Sequence, residues 1–266
     1  MHPIERLRYV ARATDDGPTL LVREAAGALA SFSSDPAALV TACRRLVDRQ
    51  PHAAAIWWLA ARVLASGEPD AEAWIAAGEL DSDDTPGQVR DLIPEDARVL
   101  IVGWPELAAS GLARRGDVTM FVGDALDEGS SLVRRLERAG HQPVLVDERG
   151  IASAASDVDL VLLEAIGLGT SGLVATIGSL AAAAAAHVSG IPVWATAGVG
   201  RVLPRRLWDA YLRRLDDDGD PWERDAELIP LSVIAKVVTP GGLIEASAAP
   251  QRADCPIAAE LLKPFD

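Results

Sequence analysis

A chain of 266 residues, with 49% hydrophobic and 24% charged side chains, has material for a sizeable core, which excludes wholesale disorder. Its formal charge of −14 is spread along the sequence and repels phosphate backbones, so nucleic acid is an unfavoured partner. Cys43 and Cys255 stand far apart with no Cys or His at metal-ligand spacing, which indicates reduced thiols and neither a disulfide framework, a metal site nor a cofactor.

The first residues, Met1-His2-Pro3-Ile4-Glu5-Arg6, lack the apolar run of a signal peptide. The most apolar later stretch, residues 180–188, is too short to span a bilayer, so no membrane partner and a cytoplasmic location are expected. From residue 3 to about 77, apolar residues recur at helical spacing: Ile4, Leu7, Val10 and Ala11, then Leu20, Leu21, Ala25 and Leu29, then Leu39, Val40, Cys43, Leu46 and Val47. Breaks at Asp15-Asp16-Gly17-Pro18, Ser33-Ser34-Asp35-Pro36 and Gln50-Pro51-His52 divide this region into four or five amphipathic helices. Residues 81–87 are polar and turn-forming, and Ile93-Pro94 follows, which predicts a helical domain over 1–95 and an α/β domain over 96–266.

Beyond that boundary, short apolar runs suited to strands buried on both faces alternate with helical stretches. Strands are expected at 98–103, 117–122, 143–147, 158–163, 192–196 and 233–238, with helices over 105–115, 125–139 and 150–155 and an alanine-rich one before Gly190. This alternation, without hairpin turns, predicts a doubly wound parallel sheet with right-handed crossovers. The aspartate-rich run at 216–220 is read as a solvated turn rather than a metal site.

Ligands of such sheets bind beyond the carboxyl ends of the strands, which directs attention to the loops after Val102, Val122, Leu163 and Thr196. Gly103 and Trp104 follow the first strand; Trp104 suits either stacking on a base or sugar, or packing. Glu106, Asp124 and Glu164 are the carboxylates near these ends: Glu106 and Glu164 suit a carboxylate pair, with helix capping the other reading of Glu106, and Asp124 suits a ligand hydroxyl or a helix cap. The fourth strand opens into a small-residue loop with Thr170, Ser171 and Gly172, and then a helix whose first turn is expected to hold Thr176, Gly178 and Ser179. Amides and hydroxyls there suit a phosphate or carboxylate, or cap the helix and nothing more. The histidines at positions 2, 52, 141 and 187 have no nucleophile nearby.

The order Glu164-Ala165-Ile166, Thr170-Ser171-Gly172, Ala175-Thr176-Ile177-Gly178-Ser179 and Gly190-Ile191-Pro192-Val193-Trp194 resembles the family of initiation factor 2B regulatory subunits and sugar-phosphate isomerases. That family contains the alpha, beta and delta subunits of translation initiation factor 2B, methylthioribose-1-phosphate isomerase and ribose-1,5-bisphosphate isomerase. Leu228-Ile229-Pro230-Leu231, Val237-Val238-Thr239-Pro240-Gly241-Gly242 and Arg23-Glu24-Ala25-Ala26 are also similar to family segments. The resemblance implies a helical N-terminal domain, a Rossmann-like C-terminal domain and a sugar-phosphate or nucleotide ligand. The isomerases' cysteine after the first strand and aspartate after N-G are absent: Gly103-Trp104-Pro105-Glu106 and Gly172 stand there. Ala175 and Thr176 replace an Asn-Lys pair, and Arg201, in a segment similar to the regulatory branch, is the substitute cation.

The resemblance therefore implies a regulatory-like, non-catalytic binder of a small phosphorylated metabolite. An isomerase using Glu164, Glu106 or Asp124, and an assembly subunit with a vestigial cleft, are the alternatives. A homodimer through the α/β domain is expected, with Trp194 in the core and Trp208 and Trp222 as surface anchors.

Overall fold

The computed structural model describes residues 18–216 and 219–263. The expected helix around Ile4 to Ala11, and Asp217 and Asp218 of the aspartate run, lie outside the described residues. The helical half contains α1 (Pro18–Ala30), α2 (Pro36–Arg49), α3 (Ala54–Ala65) and α4 (Pro69–Asp81). Asp35 starts α2 by accepting hydrogen bonds from the Ala37 and Ala38 amides at 3.1 and 3.0 Å, and Pro36 occupies the first turn, where no amide is needed. α3 is apolar nearly all round, with Trp57 and Trp58 fully buried, so it forms the centre against which the other three pack.

A fifth helix, α5 (Thr85–Leu92), occupies part of the stretch predicted as a turn. Pro86-Gly87 reads as a turn signal, yet Pro86 sits in the first helical turn, and Asp83 accepts the Thr85 amide at 2.9 Å. The strands and helices that follow are β1 (Arg98–Val102), α6 (Glu106–Leu112), β2 (Thr119–Gly123), α7 (Glu128–Arg138), β3 (Val144–Val146) and α8 (Ile151–Ala155). Next come β4 (Leu160–Glu164), β5 (Gly167–Leu168), β6 (Gly172–Thr176), α9 (Ser179–Val188) and β7 (Val193–Thr196). The remainder is α10 (Arg205–Asp216), β8 (Ala226–Pro230), β9 (Lys236–Thr239) and β10 (Gly242–Glu245). α5 packs on α6, β9 and β10.

The main sheet has the order β10-β9-β7-β4-β1-β2-β3, parallel except for β10, which returns antiparallel on β9. The expected α/β class and doubly wound arrangement are therefore present, with the reversal of strand order between β1 and β4. The β9–β10 hairpin and a second sheet, β5-β6-β8, antiparallel throughout, depart from the expectation of a chain without hairpins. β6 takes residues 172–176 out of the predicted loop and helix start. Thr176 ends that strand, and α9 begins at Ser179 after Gly178, whose φ of +90° turns the chain.

Three apolar clusters form the core. One lies on each face of the main sheet, and the third fills the helical half. That third cluster includes Leu207, Trp208, Tyr211 and Leu215 of α10 and Cys255, Ala258 and Leu261 near the end of the described chain. Trp208 is thus no surface anchor. It is fully buried, stacks on Tyr211 with ring centroids 5.3 Å apart, and donates from Nε1 to Ser171 Oγ at 2.8 Å. Trp222 is exposed, and Trp194 is half-buried against the cluster that contains Val99 and Ile101. Among the described residues, no helix is long and apolar enough to cross a membrane.

Candidate functional site

A cavity of about 790 Å³ opens above the carboxyl ends of β1 and β4, at the reversal of strand order, with the helical half as its far wall. Gly103 leaves β1 with φ +68°, and a Cβ there would come within 3.1 Å of Thr176 Cγ2 and 3.2 Å of Glu128 Oε2, so glycine lets three chain segments meet. Trp104 follows, half-buried, with the Arg135 guanidinium 5.5 Å from its ring centroid.

Glu164 ends β4 and points at the start of α6. Its Oε2 accepts hydrogen bonds from the Leu107 and Ala108 amides at 2.8 and 3.1 Å, while its Oε1 lies 4.0 Å from Arg201 Nη2. Burial pushes the Glu164 carboxyl above its ordinary value; the Arg201 charge and the two amides pull the other way without reversing the shift. The helix cap expected of Glu106 is supplied by Glu164, and Glu106 itself is exposed on the cavity wall.

Arg201 is held by the loop after β7. Asp83 from the helical half accepts the Val199 amide at 2.8 Å, and a side chain at Gly198 would overlap the Asp83 carboxylate, so the loop lies directly on the helical half. The Arg201 carbonyl accepts from the Leu168 amide at 2.8 Å, and the side chain keeps 8% of its surface. Among the described residues its side-chain partners are the Ile166 carbonyl, in one long hydrogen bond of 3.4 Å, and Glu164, approached at 4.0 Å. For a buried guanidinium with five N–H donors this is sparse partnering, and the group lines the cavity.

The helix starts near this sheet edge are closed by internal carboxylates. Glu164 serves α6, Asp124 accepts the Ser130 amide of α7 at 2.9 Å, and Glu227 of β8 accepts the Leu180 amide of α9 at 2.8 Å. Asp124 therefore takes the capping role of its two readings. The seat at the start of α9, where a ligand phosphate was an open expectation, holds the Glu227 carboxylate, whose acidity burial weakens.

Of the residues singled out in the sequence, Trp104, Glu106, Glu164, Thr176, Ser179 and Arg201 meet at this cavity, and Gly103 lies beneath it. Gly178 packs near Ile151 and Val102. Thr170, Ser171 and Gly172 are not brought there: they form the β5–β6 turn and the start of β6. Thr170 faces a separate cavity of about 580 Å³, Ser171 meets Trp208, and Gly172 pairs with Pro230. The cavity's further residues escaped the sequence reading. Leu126, Asp127, Glu128, Ser131 and Arg135 come from α7 and the turn before it, and Leu21, Val22, Gln50, His52, Ala53 and Ala55 from the helical half. A cluster of charge on α7 after a strand was the one available signal; the helical wall left none.

No protein-family model matches the sequence, and no curated protein matches it. Solved structures do. A translation initiation factor eIF-2B from Pyrococcus horikoshii is 16% identical over 91% of this chain and 96% of that one, with a TM-score of 0.76. A chain of the tetrameric eIF2B-beta2-delta2 complex of C. thermophilum is 18% identical over 94% and 92%, TM-score 0.71. The 5-methylthioribose 1-phosphate isomerase of P. horikoshii is 13% identical over 94% and 85%, TM-score 0.63. The chain therefore has the fold shared by translation initiation factor 2B subunits and 5-methylthioribose 1-phosphate isomerase.

Proposed function

We propose that this protein is an initiation factor 2B-like, non-catalytic binder of a sugar phosphate or nucleotide, acting in the cytoplasm as a homodimer. The observation that carries the reading is Arg201, buried yet sparsely partnered at the cavity wall, a guanidinium with donors to spare for an anion. Because the helix starts near this edge hold the protein's own carboxylates, a ligand phosphate is met by arginine side chains. The Glu106 and Asp127 carboxylates suit sugar hydroxyls. The absence of both isomerase groups, and the commitment of Glu164 to α6, support binding without turnover.

Titration calorimetry with ribose 5-phosphate and adenosine 5′-monophosphate, on wild type and Arg201→Met, tests the proposal. Binding weakened about tenfold or more in the variant is expected; wild type binding neither compound would sink it. The second reading, an isomerase, draws on the Glu164 carboxyl at the cavity, whose pKa burial raises. Solvent-hydrogen exchange into ribose 5-phosphate, abolished by Glu164→Gln, would establish that reading instead. The homodimer draws support from the assembled initiation factor complex of the same fold and from Val188, 87% exposed on α9; light scattering that returns a monomer mass would remove it.

A further inference from the structure

The turn between β2 and α7 carries Leu126 and Asp127 in succession at φ 55° and 59°, a left-handed backbone that branched side chains avoid. The Glu128 amide donates to the Ala125 carbonyl at 2.9 Å, closing a tight turn of the kind that glycine and asparagine make without strain. Leucine is therefore not what the turn asks for. Nor does the core ask for it, since Leu126 is 47% exposed and belongs to none of the three apolar clusters. What its side chain does is line the cavity. β1 and β2 are parallel neighbours, so the loops after them, carrying Trp104 and Leu126, leave the sheet side by side. Leu21, Val22 and Ala55 bring further apolar surface from the helical half. Strain held at a cavity wall, with no return in packing among the described residues, points to a role toward the ligand.

Resting on the binding role given above, we propose that Leu126 is a specificity-determining residue that grips an apolar, planar substituent of a phosphorylated sugar. The ligand class is then nucleoside monophosphate rather than bare sugar phosphate. Trp104 and Leu126 enclose the base, and Arg201 meets the phosphate.

Calorimetry with adenosine 5′-monophosphate and ribose 5-phosphate, on wild type, Leu126→Gly and Leu126→Asn, tests this. Wild type is expected to bind the nucleotide about tenfold or more tightly than the sugar phosphate. Each variant should lose about tenfold for the nucleotide, equivalent to about 1.4 kcal/mol, and keep its affinity for the sugar phosphate within about twofold. Both variants suit a positive φ, so their melting temperatures should match or exceed wild type. Equal affinity of wild type for the two compounds would overturn the inference while leaving Arg201's role standing. Variants that melt lower and lose both compounds in parallel would make Leu126 a structural residue. Wild type that binds neither compound removes the binding role of the cleft and this inference with it.

Discussion

Replacing Glu164 separates its role as a cap from any role as a proton carrier. Glu164→Ala strips two α6 amides of their acceptor and removes the neighbour of the buried Arg201. Orphaned buried amides and an unpartnered charge together make a loss of about 3 kcal/mol, or a fall in melting temperature of about 6–12 °C. Glu164→Gln keeps an oxygen for those amides and has no proton to lose. Because burial raises the Glu164 carboxyl above its ordinary 4.5, the native state holds that proton more tightly than the unfolded chain. Its contribution to stability is complete below the ordinary value and is lost as pH rises through the raised one. Wild type should therefore lose stability relative to Glu164→Gln as pH climbs from about 4.5 toward neutrality. Urea unfolding followed by tryptophan fluorescence reads both effects. A glutamine variant as unstable as the alanine variant, or a wild type that gains on it with rising pH, would refute the reasoning.

A side chain at Gly169 would overlap the Trp208 indole, so Gly169→Ala should lower stability by about 2 kcal/mol in urea titration. Trp208→Ala should cost about 3–5 kcal/mol as a core cavity. Light scattering of its remaining folded fraction should show the wild-type oligomeric state, which an interface tryptophan would not allow. Both thiols are buried, with their pKa values pushed up to about 12 by desolvation, so Cys43 and Cys255 should resist Ellman's reagent in the folded protein and react on unfolding.

The parallel strands were legible because they are short apolar runs, those of β1 and β4 buried on both faces, as in Val99-Leu100-Ile101-Val102 and Leu160-Val161-Leu162-Leu163. β5, β6 and β8 were not. Two residues make β5, Gly172 opens β6, and Pro230 closes β8, so none shows a strand's pattern without its partners. That misreading carried Thr170, Ser171 and Gly172 into the expected site and placed Thr176 on a helix. The site's other wall was hidden for a different reason. Glu164 caps a helix 57 residues earlier in the chain, and Glu227 caps one 47 residues earlier, and no local pattern encodes such pairings.

The packing of α10 and the segment around Cys255 to Leu261 against the helical half has a consequence for synthesis. Trp58 Nε1 donates to Asp254 at 2.9 Å across 196 residues of sequence, and α10 with Ala258 and Leu261 completes the core around α3. A ribosome that has released residues 18–81 has made four helices whose apolar faces await partners in α10, which begins only at Arg205. Those faces stay open until α10 has been made, so closure of the helical half must wait for a segment more than a hundred residues downstream.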